Sequence, residues 1–341
     1  MAAVMDAAFD FVPYGSVLEP RPGTIVLDVG MKTVAGVIDH HHQEAEAECA
    51  ASLVIKYPNL VLDHIGPEEE TRLKIITHRL PDFDALSSSF LALKLLETRR
   101  LDASMEKIGA YARLADSASL PGNIDLAATP YSILRALFAG AKMPEAEINV
   151  ARAAEGLKLM RFLYVKSEQG YEIVENRSLY SGIERYERAM RKVENDYFHY
   201  LDDLARARRS LLNLPLSSGS GRRRVDGLIV RNPTSFLLKE WARRDAREPS
   251  LGSGFSFLMT NYWDERFILG VDPEKGVNLR GLGSLLNSLE AEKREARSRP
   301  FPLRWYEGNC PFFNYRIIDS PQDGTLLTHD EVLDCLLRFG G

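Results

Sequence analysis

The chain has 341 residues, of which 45% are hydrophobic and 27% are charged, and its formal net charge is -5 at pH 7. A chain of this size and composition can bury a large core, and we expect a globular protein of two domains. The acidic balance argues against a protein that coats nucleic acid. No apolar stretch approaches the roughly 20 residues that a membrane-spanning helix needs, so no membrane partner is expected.

The N-terminal segment and the cysteines favour a cytoplasmic protein. Residues 1–13 contain acidic side chains and no basic region, unlike a secretory signal. Cys49, Cys310 and Cys335 are far apart in the sequence, and no Cys-x-x-Cys pair occurs. A thiolate-rich zinc site is therefore excluded, and the sparse cysteines agree with a reducing compartment.

The first part of the chain alternates short apolar runs of strand length with acids or histidine. The runs Thr24–Leu27, Gly36–Ile38, Leu60–Leu62 and Lys74–Thr77 are followed by Asp28, Asp39, Asp63 and His78. Residues 44–57, between the second and third runs, have helical character. This alternation predicts an α/β fold with a mostly parallel sheet flanked by helices. Because ligands bind beyond the carboxyl ends of parallel strands, the acids and histidines should meet there.

Helical segments follow. Residues 85–97 are apolar nearly all round, as in a buried helix, and Asp84 is placed to cap the start of that helix. Helical character continues over residues 131–213. Within that range the charged stretch 183–210 predicts an exposed connecting helix, because its apolar positions are too sparse for a core helix.

A polar, glycine-rich segment, residues 216–221, predicts a linker. We therefore expect a first domain with its helical connector over residues 1–212 and a smaller mixed α/β domain over residues 217–341. In the second domain, strand-like runs cover residues 225–230, 255–260, 267–271 and 315–318, and a helix is predicted over residues 279–297. The basic triplet Arg222–Arg224 favours a solvated linker edge over a site that steers phosphate.

The segment His78-x-x-x-Asp82-x-Asp84 is the strongest single motif. A loop that leaves a strand can direct an imidazole and two carboxylates at neighbouring cations, and Pro81 stiffens that loop. A surface turn followed by a helix cap explains the same residues when the motif is taken alone. The metal-site interpretation therefore depends on further ligands nearby.

The second motif is Asp39-His40-His41-His42. One imidazole can bind a metal while another meets a substrate phosphate, and a solvated histidine cluster is the alternative. Asp28 and Asp116 follow apolar segments and are either turn or helix-end residues or further ligands. Carboxylates and neutral imidazoles together favour a borderline divalent cation such as manganese, iron or zinc.

Over residues 20–165 these motifs resemble those of the DHH phosphoesterases, which include RecJ-like exonucleases, oligoribonucleases, cyclic dinucleotide phosphodiesterases, exopolyphosphatases and manganese-dependent pyrophosphatases. The resemblance implies two divalent cations, with Mn2+ expected. The implied metal ligands are Asp28, which bridges both ions, His78 and Asp82 at one ion, and His40, Asp84 and Asp116 at the other. The resemblance also implies a metal-bridging hydroxide as nucleophile, and catalytic roles for Asp39 and for His41, which would contact the phosphate.

The chain departs from the family pattern in three places. The H-x-x-x-D-x-D motif follows the Asp-His-His motif here, whereas in the family it comes first, so the strand order of the sheet is open. The short gap between Asp28 and Asp39 leaves Asp63 as a second candidate for the bridging acid. The second domain lacks the family's Gly-Gly-Gly-His signature. Arg280, which opens a predicted helix beside glycine, is the expected substrate contact, although a structural turn explains such a segment equally well.

The leading hypothesis is a two-metal phosphoesterase that hydrolyses a phosphodiester or phosphoanhydride, such as a short oligonucleotide, a cyclic dinucleotide or polyphosphate. The alternative is a non-catalytic regulatory protein that binds metal or a nucleotide on the same fold. The expected partner is a small phosphorylated substrate or a short oligonucleotide rather than a long nucleic acid, and a homodimer is compatible with the sequence. The sequence does not select one substrate.

Overall fold

A computed structural model of the protein describes residues 7–66, 72–252, 254–299 and 304–341. The chain forms an α/β structure with two compact units. The first unit comprises Met1–Val193 together with Cys310–Phe312, and the second comprises Glu194–Asn309 and Phe313–Gly341. Within the described residues, no helix combines the length and the apolar character that crossing a membrane requires.

The first unit contains a mostly parallel sheet, as predicted. Its strands are β1 (Ala8–Val12), β2 (Thr24–Leu27), β3 (Thr33–Val34), β4 (Val37–Ile38) and β5 (Lys74–His78). They lie in the order β1-β5-β2-β4-β3, and only β3 runs antiparallel to its neighbour. Every residue of β2 is buried, which explains its continuous apolar sequence. The carboxyl ends of β5, β2 and β4 therefore lie side by side.

Helices surround this sheet. They are α1 (Ala50–Lys56), α2 (Asn59–Leu62), α3 (Phe83–Thr98), α4 (Ala103–Asp116), α5 (Pro130–Phe138), α6 (Glu145–Glu168) and α7 (Glu184–Arg206), which continues into the second unit. The predicted buried helix is α3, which packs against α1, α4 and α6 as well as against β2 and β5. Because neighbours enclose it on all sides, even its serines, Ser87, Ser88 and Ser89, are buried.

Two local predictions for the first unit are wrong, and the prediction of an exposed connecting helix is correct only in part. Residues 60–62 belong to α2 rather than to a strand, since Pro58 before them already has helical backbone angles. The cap of α3 is Asp82, whose carboxylate accepts hydrogen bonds from the amides of Asp84 and Ala85 at 3.0 and 3.1 Å. The charged helix α7 ends at Arg206 and runs from the first unit into the second, but only one of its faces is exposed, because residues such as Tyr186 and Tyr200 are buried.

The second unit contains a mostly antiparallel sheet. Its strands are β6 (Arg208–Pro215), β7 (Arg222–Arg231), β8 (Phe257–Tyr262), β9 (Arg266–Val271) and β10 (Ile317–Asp319), and its further helices are α8 (Leu238–Arg244), α9 (Leu282–Ala296) and α10 (His329–Phe339). The strand order is β10-β9-β8-β7-β6, and only β7 and β8 are parallel. Alternate residues of β7, such as Ile229 and Leu228, enter two separate hydrophobic clusters, one on each face of the sheet.

The segment 216–221 is the turn of a β-hairpin and not a linker. Strand β6 pairs along its whole length with residues 222–229 of β7, and the amide of Leu216 donates to the carbonyl of Gly221 at 3.1 Å. Gly219 and Gly221 have φ values of 92° and 88°, which glycine adopts most readily. Arg222 begins β7, and its guanidinium donates to the carbonyl of Asn213 on β6. Glycine and serine are common both in tight turns and in flexible linkers, so the composition of residues 216–221 fits either structure.

Two buried carboxylates on α7, those of Asp196 and Asp203, fix the loop before α8. Asp196 accepts four hydrogen bonds of 2.7–3.1 Å, from the Ser235 hydroxyl, the amides of Phe236 and Leu237, and the Trp241 indole. Asp203 accepts from the amides of Thr234 and Ser235. The charged appearance of α7 therefore conceals two residues that hold the second unit together.

We expect Asp196→Ala to lower the free energy of unfolding of the second unit by about 3 kcal/mol or more, because it leaves several buried donors without an acceptor. Asp202→Ala, an exposed neighbour on the same helix, should stay within about 0.5 kcal/mol of wild type. Urea denaturation followed by tryptophan fluorescence measures both, since all 3 tryptophans lie in the second unit. Equal midpoints for the two variants would contradict the proposed role of Asp196.

Candidate metal centre

Asp28 follows β2 and lies between two imidazoles. Its carboxylate oxygens are 3.2 Å from Nε2 of His40 and 3.3 Å from Nε2 of His78. The residue is almost fully buried, and its backbone has a φ of 59°, which is uncommon outside glycine. The amide of Asp28 donates to the carbonyl of Ile38 at 3.0 Å, so the neighbouring strand β4 supports this conformation. Such local strain is typical of functional positions.

Asp39 follows β4 and orients His41. One oxygen of the fully buried Asp39 carboxylate accepts from Nδ1 of His41 at 2.6 Å, and the other accepts from the amide of Met31 at 2.6 Å. Burial alone would raise the pKa of Asp39, but the charge and hydrogen bond of His41, the charge of His40 and the Met31 amide hold that pKa well below its usual range. Asp39 is therefore an anionic partner that fixes the tautomer and orientation of His41.

His78 ends β5 and faces two carboxylates. Its Nδ1 is 2.8 Å from the carbonyl of Arg79, so Nδ1 carries the proton and Nε2 points towards Asp28 and Asp82. Burial opposes protonation of His78, but hydrogen bonds to Asp28 and Asp82 raise its pKa well above the usual range. The Asp82 side chain is about half exposed, so burial opposes its ionisation only in part, and the hydrogen bond and charge of His78 with the Ala85 amide lower the pKa of that carboxyl.

Asp84 and Asp116 lie beside His40. Nε2 of His40 is 4.0 Å from an oxygen of Asp84 and 3.5 Å from an oxygen of Asp116, the last residue of α4. The Asp84 carboxylate also accepts from the amides of Ala50 and Ala51 at the start of α1, at 2.7 and 3.0 Å. Burial raises the pKa of Asp84 well above its usual range, and the negative charges of Asp28 and Asp82 raise it further. A cation bound at this point would oppose that shift.

These side chains form three overlapping groups of candidate ligands. The groups are Asp28–His40–His41, Asp28–His78–Asp82 and His40–Asp84–Asp116, and within each group the ligand atoms lie within 4.8 Å of one another. Carboxylate oxygens and imidazole nitrogens are the donors that manganese, iron and zinc accept. The donor set therefore fits divalent cations, and the buried acids lie where a cation would neutralise them. The groups do not select one metal.

All six residues predicted as metal ligands belong to these groups, as does His41. Asp63, the second candidate for the bridging acid, is exposed at the end of α2 and belongs to none of them. Its neighbour His64 has a structural role, because its Nε2 lies 3.0 Å from the carbonyl oxygens of Arg21 and Thr24, within hydrogen-bonding distance. Among the described residues, Asp28 is thus the acid with the geometry of a shared ligand.

Arg280, the predicted substrate contact, lies in the second unit. Its guanidinium stacks over the ring of Tyr315 with 4.5 Å to the ring centre, and its amide donates to the side chain of Asn278. These contacts give the residue a structural role in its own unit. Its contact with a substrate stays a prediction.

Sequence reasoning missed two aromatic residues at the site. Tyr14, in the loop after β1, packs edge-on against His41 and His78, with ring centres 4.8 and 5.8 Å apart. Phe312, which belongs to the first unit, packs edge-on against His40 at 4.7 Å. An aromatic residue at a strand end carries no metal signature. Only an assignment of β1 as the neighbour of β5 could have drawn attention to Tyr14.

Asn149 on α6 supports the loop between His78 and Asp82, and the sequence does not predict this contact. Leu80, at its centre, has a φ of 54°, and its amide donates to Oδ1 of the buried Asn149 on α6 at 2.6 Å. A non-glycine residue in this conformation needs such external support. Helix α6 therefore fixes the spacing between the two ligands.

Scans against models of known protein families and against curated proteins find no match for this chain. The resemblance to the DHH phosphoesterases therefore rests on the sequence motifs alone.

Proposed function

We propose that the protein is a phosphoesterase that hydrolyses a phosphodiester or phosphoanhydride with two divalent cations, for which Mn2+ is the first choice. The observation that carries this proposal is the shared position of Asp28. Its two oxygens face different imidazoles, His40 and His78, and each imidazole has its own further carboxylates. One acid between two ligand groups is the arrangement that a two-cation site needs.

The ligand groups assign a role to each residue. Asp28, His78 and Asp82 would hold one cation, and His40, Asp84 and Asp116 would hold the other. Asp28 would contribute to the second as well, since its other oxygen is 3.2 Å from Nε2 of His40. When bound, two such cations would lower the pKa of a water molecule and neutralise the charge that develops on the phosphoryl oxygens. Asp84 also anchors the start of α1, so the ligand position is coupled to the packing of that helix against α3.

His41 would contact the phosphoryl group. Its Nδ1 is committed to Asp39, and the ring is held from the side by Tyr14. When both ring nitrogens are protonated, an imidazole fixed in this way can donate from Nε2 to a phosphoryl oxygen without first losing side-chain freedom. The same contacts make Asp39 and Tyr14 positioning residues for this step.

We expect Mn2+ to restore phosphoester hydrolysis to metal-stripped protein, measured against a generic phosphodiester, a dinucleotide, a cyclic dinucleotide, pyrophosphate and polyphosphate. Asp82→Asn should reduce turnover by more than the roughly 10–100-fold typical of an outer-shell partner, because it removes a charged ligand while an asparagine still caps α3. Asp102→Asn is the matched control, since Asp102 caps α4 in the same way outside the ligand groups. Equal activity of the two variants would overturn the site assignment.

Mn2+ should also stabilise the protein against heat through Asp28. At a concentration of about 100 times Kd, a ligand of the native state contributes about 2.7 kcal/mol. We expect Asp28→Asn to lose most of this gain and the exposed Asp63→Asn to retain it, as read from calorimetric Tm values with and without Mn2+. If stabilisation by Mn2+ survives in Asp28→Asn, the bridging role is wrong. Stabilisation without turnover on any substrate would instead favour the regulatory alternative.

Asp39→Asn separates the orienting role from metal binding. An amide cannot reproduce the charge that fixes the His41 tautomer, so we expect turnover to fall roughly 10–100-fold. The affinity for Mn2+, measured by isothermal titration calorimetry, should stay close to that of wild type. A large loss of Mn2+ affinity would show instead that His41 is a metal ligand.

A further inference from the structure

Arg152, on α6, reaches the loop that carries the ligands of the first cation. Its Nη1 donates to the carbonyl of Leu80 at 3.1 Å, one helical turn from Asn149, which accepts from the amide of the same residue. Leu80 is two residues from His78 and two residues from Asp82. The guanidinium is therefore held beside the candidate metal centre by the backbone itself.

The hydrogen bonds of Arg152 within the described residues leave part of the guanidinium unsatisfied. Its Nε is buried and has no hydrogen-bond partner in the described part of the chain, and its Nη1 contacts only a neutral carbonyl. A buried donor without an acceptor is costly, and a guanidinium most often compensates with a carboxylate or phosphate. The side chain is only partly buried, so an anion from solvent can approach it.

Arg135, on the neighbouring helix α5, adds a second positive charge. Its Nη1 donates to the hydroxyl of Tyr131 at 3.1 Å, and its guanidinium lies over that ring. The guanidinium of Arg152 lies over the ring of Phe138, 5.6 Å from the ring centre. Burial lowers the pKa of Arg152 and the charge of Arg135 lowers it further, whereas Asp82 raises it. Phe138 lies three residues after Arg135 on α5, one helical turn away, so the contact with Phe138 brings Arg152 to the part of α5 that carries Arg135.

Aromatic stacking and the Leu80 carbonyl preorganise these guanidinium groups. Two cations placed together repel each other unless an anion lies between them, and planar guanidinium groups match the oxygens of a phosphate. A wholly structural role for Arg152 needs only the bond to Leu80. That role does not explain the buried Nε, which has no hydrogen-bond partner within the described residues.

We propose that Arg152 and Arg135 form an anion-binding site beside the candidate metal centre, which takes a second phosphate group of the substrate next to the one that is cleaved. This inference rests on the proposed function. It narrows the substrate class to molecules with at least two phosphate groups in close succession, such as a phosphoanhydride or an oligonucleotide with a terminal phosphate. An isolated phosphodiester would leave the arginine pair unused.

The test compares two probes that phosphoesterases do not hydrolyse, methylenediphosphonate and methylphosphonate, by isothermal titration calorimetry on Mn2+-saturated protein. Wild type should prefer the diphosphonate. Arg152→Gln and Arg135→Gln should each reduce that preference about 10-fold, the usual effect of losing a charge-assisted hydrogen bond. Arg161→Gln, which changes an exposed arginine farther along α6, should leave the preference unchanged.

The ratio of the diphosphonate affinity to the methylphosphonate affinity is informative, because a displaced Leu80 loop would weaken the binding of both probes together. An unchanged ratio in Arg152→Gln and Arg135→Gln, or no preference in wild type, would overturn the anion site and leave Arg152 as an anchor of Leu80. If Arg152→Gln does not fold, Arg152→Lys and Arg135→Gln decide the same question. The same titrations on metal-free protein test the anion site independently of the proposed metal-dependent hydrolysis. A protein without turnover whose diphosphonate affinity still depends on Arg152 and Arg135 would retain the anion site and lose the hydrolase.

Discussion

The burial of several negative charges in one place is the constraint around which the first unit is built. Asp28, Asp39 and Asp84 are all nearly inaccessible to water, where an isolated carboxylate is strongly unfavourable. Each is compensated by a different element. Asp39 binds an imidazole and an amide, Asp84 binds the first amides of α1, and Asp28 lies between two imidazoles. Cations complete this compensation in the function proposed above, so folding and metal binding depend on the same charges.

The transposed order of the motifs is compatible with the ligand geometry because the sheet orders strands in space and not along the chain. Strand β5 pairs directly with β2, and β2 pairs directly with β4. The loops that carry His78, Asp28 and the Asp39–His41 segment therefore lie next to one another whichever motif comes first in the sequence. Parallel strands that end at one edge of a sheet bring these three loops together, and helices α3 and α4 supply Asp82, Asp84 and Asp116.

Asp28, the Asp39–His41 segment and His78 could be predicted as candidate site residues because each lies at or directly after the end of a buried strand. Asp82, Asp84 and Asp116 lie at helix ends, and they are recognised through the motifs of a known family. The supports of the site could not be predicted, because tertiary packing alone brings Tyr14, Asn149 and Phe312 to it. Local signals were also ambiguous. The same glycines and serines fit a linker or a hairpin turn at 216–221, and Asp82 and Asp84 are both suitable caps until the partners of each carboxylate are known.

The assignment of Phe312 to the first unit has a consequence for the order in which the protein folds during synthesis. A chain emerging from the ribosome presents the strands and helices of the first unit early, and such units generally fold as they appear. The edge-on contact between Phe312 and His40, however, joins residues near opposite ends of the chain. Its formation must wait until most of the second unit has been translated, so the nascent first unit lacks this contact with His40 for much of its synthesis.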